Sequence, residues 1–238
     1  MINDQSSCGS CWAFGAAEAM SDRLCIGSGQ TDQTVLAPED LLECCTTCGN
    51  GCNGGFLYQS FVFWRYAGLV SGGNYGNASV CKPYAFPPCA HHVKSDVLAP
   101  CPAAIYPTPK CQRSCNNDSK YYDEKRFASK VYAVKGEVDM AAEIYKNGPI
   151  EGAFTVYEDF LTYQGGVYVH KTGNDLGGHA IKIIGYGVTD QGQKYWLCAN
   201  SWNDIWGEEG FFRIAKGSNE CGIEHSAMAG LAELPKRK

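Results

Sequence analysis

Between Trp12 and Leu24 apolar side chains recur at helical spacing, at Ala13, Ala16, Ala17, Met20 and Leu24, with Glu18, Asp22 and Arg23 on the other side. This period predicts a helix with one face in the core. The polar loop Gln5-Ser6-Ser7-Cys8-Gly9-Ser10 leads into it, so Cys11 sits where the helix begins. Unpaired N–H groups and the positive end of the helix dipole favour a thiolate there. The stretch Gly27 to Gln33 breaks the pattern, and Pro38-Glu39-Asp40 opens a second short helix through Leu41 and Leu42. After a cluster of Cys44, Cys45, Cys48 and Cys52 comes Asn53-Gly54-Gly55, then an aromatic helical run from Phe56 to Tyr66, closed by Gly68. A further helix is expected over Val138 to Asn147, ended by Gly148-Pro149. Beyond it the pattern turns to strands: Ile150 to Val156, Gly166 to His170, His179 to Gly187, Lys194 to Ala199 and Gly210 to Ile214. A helical N-terminal half and an antiparallel C-terminal half imply an α+β chain with two lobes, without internal repeat.

Between Val80 and Cys115 lie seven of the ten prolines and five of the fourteen cysteines, which excludes regular helix or central strand and predicts a long disulfide-held loop. The cysteine content argues for an oxidising compartment, and the sequons at Asn77 and Asn117 are compatible with a secretory route and glycosylation. A formal net charge of −5 leaves no basic field for nucleic acid, and no apolar run approaches the roughly 20 residues of a membrane span.

A thiolate nucleophile needs a base, a group that orients the base, and donors for the oxyanion. His179, after Gly177-Gly178 and opening a strand, is the candidate base. Asn200, 21 residues on at the end of the next strand, is placed to orient it, with Trp202 to shield that bond from water. Gln5 and the Cys11 backbone N–H are candidate oxyanion donors. The tetrapeptide Cys8-Gly9-Ser10-Cys11 alone fits a redox pair, half a zinc site or ordinary disulfide halves as well as a nucleophile. The joint arrangement of Cys11, His179, Asn200 and Gln5 is far less readily accidental.

The blocks Gln5…Cys8-Gly-Ser-Cys11-Trp12-Ala13-Phe14, Gly51-Cys52-Asn53-Gly54-Gly55, Gly178-His179-Ala180 and Tyr195-Trp196-Leu197-Cys198-Ala199-Asn200-Ser201-Trp202 resemble the signatures of papain-type cysteine proteases, in order and spacing, over essentially the whole chain. The insert with Pro87-Pro88-Cys89-Ala90-His91-His92-Val93 resembles the occluding loop of the cathepsin B-like branch. The resemblance implies a helical lobe over residues 1–127, carrying the nucleophile and the insert (about 87–111), and a β-rich, barrel-like lobe over residues 128–238, with the cleft between them. It also implies a Cys11–His179 thiolate–imidazolium pair, an orienting Asn200, and an oxyanion hole of Gln5 and the Cys11 amide. Gly54 and Gly55 would pair with substrate backbone. Phe56, Leu57, Ala153 and Ala180, with Gly178, Trp202 and Ser226, would contact substrate, several of them around the residue two before the scissile bond. His91, latched by Asp4, and His92 would cover the primed end and receive a substrate's C-terminal carboxylate.

Departures from the family pattern sharpen these expectations. Ser226 stands where many cathepsin B enzymes carry an acid, which predicts apolar over basic side chains in that pocket. The span from His91 to Cys101 has no arginine, and Ile205 replaces the aspartate of a second loop latch, so the loop is expected to open more easily. Ser6 replaces a usual glycine beside Gln5, which suggests a slightly displaced oxyanion hole. The family pattern implies disulfides Cys8–Cys52, Cys44–Cys111, Cys45–Cys48, Cys81–Cys115 and Cys89–Cys101. Cys11 then stays reduced, Cys198 and Cys221 are expected as buried free thiols, and Cys25 lacks a partner that the family places upstream. An N-terminal segment, signal and propeptide are accordingly expected to be missing. The activity implied is that of an endopeptidase and peptidyl-dipeptidase, monomeric, lysosomal or secreted, without cofactor or metal. Its partners would be protein and peptide substrates, cystatin-type inhibitors and its own propeptide. The competing readings are a non-catalytic disulfide-rich binding module and a Cys-x-x-Cys oxidoreductase.

Overall fold

The computed structural model describes residues 2–234. Its spine is α1 (Cys11–Gly27), which packs on α2 (Pro38–Cys44) and α3 (Leu57–Tyr66) and, on its other side, on the β-rich lobe. Trp12 to Met20 are buried without a break, so the helix is enclosed and not amphipathic. Glu18 and Arg23, expected on a polar face, are 9% and 2% exposed. The reason is that Arg23 ties the lobes together: its guanidinium donates to the carbonyls of Pro149 (2.5 Å) and Gly230 (2.8 Å) and pairs with Glu143 at 2.9 Å. Removing one side of so buried a pair costs about 3–5 kcal/mol.

Helix α3 ends at Tyr66, and Gly68, at φ 70°, donates its N–H back to the Phe63 carbonyl, a left-handed C-terminal cap that a side chain would strain. Two short strands, β1 (Gly72–Gly73) and β2 (Lys82–Pro83), pair in parallel within the helical lobe. The second lobe holds β3 (Ala128–Val134), α4 (Glu137–Asn147), β4 (Ile150–Tyr157), β5 (Val167–Tyr168), β6 (Asp175–Val188), β7 (Lys194–Ala199), β8 (Phe211–Ala215) and β9 (Ala227–Ala232). The sheet order is β3-β9-β4-β6-β7-β8-β5, with free edges at β3 and β5, so it is open and does not close into a barrel. All its pairs are antiparallel except β5 with β8. The β3 and β9 strands were not expected from the sequence pattern.

One core gathers Trp12, Phe14, Phe61 and Trp64 around the helices; the other gathers Phe160, Trp196, Trp206 and Phe212 beneath the sheet. Truncating any of these aromatics to alanine costs about 3–5 kcal/mol. The five disulfides are Cys8–Cys52, Cys44–Cys111, Cys45–Cys48, Cys81–Cys115 and Cys89–Cys101. Cys11, Cys25, Cys198 and Cys221 are free thiols. Of these Cys198 is fully buried, whereas Cys221, expected to be buried, is only half-buried.

Candidate active site

The first turn of α1 and the middle of the sheet meet at Cys11. The Ala13 and Phe14 N–H groups close on the Ser10 carbonyl, while the N–H groups of Cys11, Trp12 and, from β6, Ala180 turn toward the Cys11 sulfur. The Cys8–Cys52 bridge and the Gly9 N–H to Cys52 carbonyl bond (2.7 Å) hold the preceding loop. Cys8 is thereby engaged away from Cys11, which disfavours a redox pair.

His179 is the fifth residue of β6, not its first: Gly177 and Gly178 already pair with Val156 and Thr155 of β4. It is the first buried residue of that strand. The β6–β7 register sets Lys182 opposite Ala199, and the residue after β7, Asn200, reaches the His179 ring at 2.7 Å. The Asn200 atom concerned also accepts the Ser201 backbone N–H at 2.8 Å, so it is the amide oxygen Oδ1. His179 Nε2 therefore carries the hydrogen, and Nδ1 keeps the lone pair. Trp202 lies over the ring at 5.0 Å and is itself buried, sealing the bond from water.

Burial pushes the Cys11 thiol up, against the three backbone N–H groups that pull it down. It also pushes His179 down to about 4, against the Asn200 bond. Burial thus disfavours a lone charge on either the part-exposed Cys11 or the buried His179. Proton transfer between them would create opposite charges together, each offsetting the other's desolvation.

Gln5 is buried and held at every polar atom. Its N–H meets the Ser201 carbonyl (2.9 Å), its Oε1 accepts from the Ser201 hydroxyl (2.6 Å), and its Nε2 donates to the Cys8 carbonyl (2.9 Å). The second Nε2 hydrogen remains for an incoming oxygen. Tyr84 clamps the same segment, donating to the Gln5 carbonyl at 2.7 Å and bonding the Ser10 hydroxyl at 2.8 Å. Ser6 adopts φ 54°, the left-handed region that explains a glycine at this place, and is held there by its N–H to Asp4 Oδ1 (2.6 Å). Gln5 keeps its anchors beside it.

Gly54 sits at φ 104° with open space where a side chain would point. Gly55 is required for a different reason: a Cβ there would lie 2.4 Å from Trp12. A cavity of about 490 Å³ lies beyond, walled by Leu57, Ala153, Gly178 and Ser226 among the expected residues and also by Tyr58, Phe154, Thr155, Met228, Cys221, Gly222 and His225. Phe56, Ala180 and Trp202 are not in its lining; Phe56 is 65% exposed beside it.

The insert is fixed at its base. Asp4 accepts from the His91 ring at 2.9 Å, from the Cys89 N–H at 3.0 Å and from Asn203 Nδ2 at 3.0 Å, and Asn203 donates to the Cys89 carbonyl at 2.6 Å. Burial raises the Asp4 carboxyl, but His91, Asn203 and Ser6 outweigh it and leave it below the ordinary carboxylate range. The His91 ring stacks on Trp202 at 6.1 Å, and His92 meets the same indole edge-on at 5.0 Å. Burial and the neighbouring His91 and His179 lower His92. Ile205 is 38% exposed, and among the described residues His91–Asp4 is the only ion pair made by the insert. Asn77 is exposed and Asn117 half-buried, its Nδ2 on the Ser79 carbonyl at 3.1 Å.

Ser201, Asn203 and Tyr84 were absent from the sequence reading of the site. Ser201 and Asn203 flank Trp202 in the Asn200 block, so their signal was adjacency; Tyr84 gave none.

A free cysteine at a helix start, a buried histidine fixed by an asparagine, and a cleft between helical and sheet lobes define a papain-like arrangement. The model of the papain family cysteine proteases matches residues 1–231, and the chain belongs to that family. Within it the resemblance is to cathepsin B-like members. The chain is 52% identical over 238 residues to Cathepsin B-like cysteine proteinase 6 of Caenorhabditis elegans, covering 98% of this chain and 62% of that protein. It is 54% identical to Cathepsin B-like cysteine proteinase 5 of the same organism, covering 99% of this chain and 70% of that protein. Among solved structures, procathepsin B S9 of Trypanosoma congolense superposes with a TM-score of 0.82 at 37% identity, over 98% of this chain and 72% of that one. A digestive procathepsin L 3 from Tenebrio molitor larval midgut shares the fold, with a TM-score of 0.73 at 24% identity, over 97% of this chain and 66% of that one.

Proposed function

We propose that this chain carries the catalytic unit of a cathepsin B-like cysteine peptidase in which Cys11 and His179 act as a thiolate–imidazolium pair. The observation that carries the reading is the 2.7 Å His179–Asn200 bond, which fixes the tautomer and leaves Nδ1 as the base. Cys11 gives its proton to Nδ1 and its sulfur attacks the scissile carbonyl carbon. The oxyanion is received by the Cys11 N–H and the free Gln5 Nε2 hydrogen. His179 returns the proton to the departing amine, leaving a thioester, and then takes a proton from the water that hydrolyses it. The cavity walled by Leu57, Ala153 and Met228 takes the residue two before the scissile bond, and with no carboxylate in its lining it favours apolar over basic side chains. The insert, held by Asp4, places His91 and His92 over the primed end, adding dipeptide release to internal cleavage. Five disulfides suit a lysosomal or secreted setting, with an inhibitory propeptide and cystatin-type inhibitors as partners.

Hydrolysis of paired peptides tests this. A phenylalanine peptide should be cut faster than its arginine counterpart, and Cys11→Ser should abolish both reactions. Hydrolysis that survives Cys11→Ser refutes the nucleophile, and equal efficiency on the two peptides refutes the pocket.

A further inference from the structure

The cavity assigned to the second upstream residue is walled mainly by apolar groups, with Thr155, Ser226 and His225 among its polar lining residues. His225 is the only lining side chain able to become cationic. Its backbone N–H goes to the Gly222 carbonyl at 3.0 Å, and among the described residues its ring has neither an ion-pair nor a hydrogen-bond partner. The acids near it are committed elsewhere. Glu224, the adjacent residue, is buried with its carboxylate on Trp196 Nε1 (2.9 Å) and on the N–H groups of Gly217 (2.6 Å) and Asn219 (2.9 Å). Glu220 accepts the His170 N–H at 3.0 Å and the Cys221 thiol at 3.5 Å. Asp159 is taken by Tyr168, His170, Lys171 and Thr172. The other titratable groups of the lining are the Tyr58 phenol from α3 and the Cys221 thiol, which burial and Glu220 push up to about 12. The elements β4, β6 and β9 contribute only Ala153, Phe154, Thr155, Gly178 and Met228. A carboxylate entering this cavity meets one unpaired imidazole and no competing acid.

We propose that His225 is a specificity-determining residue that, when protonated, draws peptides with an acidic side chain, glutamate above all, into this pocket. The proposal rests on the peptidase reading above and adds a substrate class to it. A neutral imidazole would treat glutamate and glutamine alike, so the preference should follow the protonation of the ring. Because the site is exposed to water, the effect is that of a surface ion pair, about two- to fivefold.

The test uses the active enzyme and three peptides that differ only two residues before the scissile bond: glutamate, its neutral isostere glutamine, and phenylalanine as reference. The ratio of kcat/KM for glutamate over glutamine should be about two- to fivefold higher at pH 5 than at pH 7.5. In His225→Gln that ratio should be flat with pH. A ratio independent of pH in the native protein, or a pH dependence retained in His225→Gln, overturns the assignment of His225 while leaving the peptidase reading intact. Failure to cleave any of the three, including the phenylalanine reference, removes the peptidase reading and this proposal with it.

Discussion

Replacing His91 with alanine removes the one ion pair that, among the described residues, ties the insert to the N-terminal segment. The pair spans 2.9 Å between largely buried groups, with His91 7% exposed, so it is worth about 1.5–3 kcal/mol as a charge-assisted hydrogen bond. The substitution leaves no orphan, because Asp4 keeps the N–H groups of Ser6 and Cys89 and the Asn203 amide. The whole loss therefore falls on the closed position of the loop and raises its open population by about ten- to a hundredfold. The assay is the ratio of kcat/KM on a peptide with a blocked C-terminus to kcat/KM for dipeptide release, and it should rise about tenfold or more. In the native protein the same ratio should rise in strong acid. Asp4 is held below its ordinary value, so its stabilisation is present above the ordinary carboxylate range and is lost as pH falls through the depressed value. A ratio that stays within twofold in His91→Ala would refute the latch.

Gln5→Ala should lower kcat by about 10²–10³-fold with little change in KM, the cost of one oxyanion donor, read by steady-state kinetics; a loss confined to KM would contradict that role. Glu151, on β4 beside Gly15 of α1, is wholly buried, its carboxylate oxygens make no hydrogen bond among the described residues, and burial together with Cys11 and Glu18 raises it well above 4.5. A group raised on folding contributes stability below its unfolded value and loses it as pH rises. Glu151→Gln should therefore gain stability relative to the native chain as pH rises, measured by urea midpoints between pH 4 and 8, and parallel midpoint curves would show that Glu151 ionises alike in the folded and unfolded chain and is not raised by burial.

The helices and most strands were legible because their periodicity, Pro38 at a first turn and Gly68 at a C-terminal cap all point the same way. Besides the two-residue β1 and β2, the strands missed are β3 and β9 of the large sheet, whose local signals are weaker. In β9 the run Ala-Met-Ala-Gly-Leu-Ala lacks β-branched residues, and its pairing is decided by tertiary contacts: Gly230 gives its carbonyl to Arg23 and packs against Trp64, where a Cβ would come within 2.8 Å. Arg23 and Glu18 misled for the same reason, since a charge on a helix reads as solvent-facing until its partners, distant in sequence, are known. Within the site, the residues that do chemistry stood out by type and spacing. Those that hold them, Tyr84 and Asn203, did not, because a hydroxyl or amide serving as a brace has no pattern of its own. His225 sits one residue from the position the pattern singled out, and only the cavity brings it forward.

The pH dependence of Cys11 alkylation by an active-site-directed epoxide tests the central claim most directly, with Cys11→Ser as the blank and His179→Ala for comparison. Labelling should persist well below pH 7, far under the range of an isolated thiol of pKa about 8.5, and should be lost from acid pH in His179→Ala. Labelling that rises only with ordinary thiol ionisation, or that is the same in His179→Ala, would contradict the ion pair.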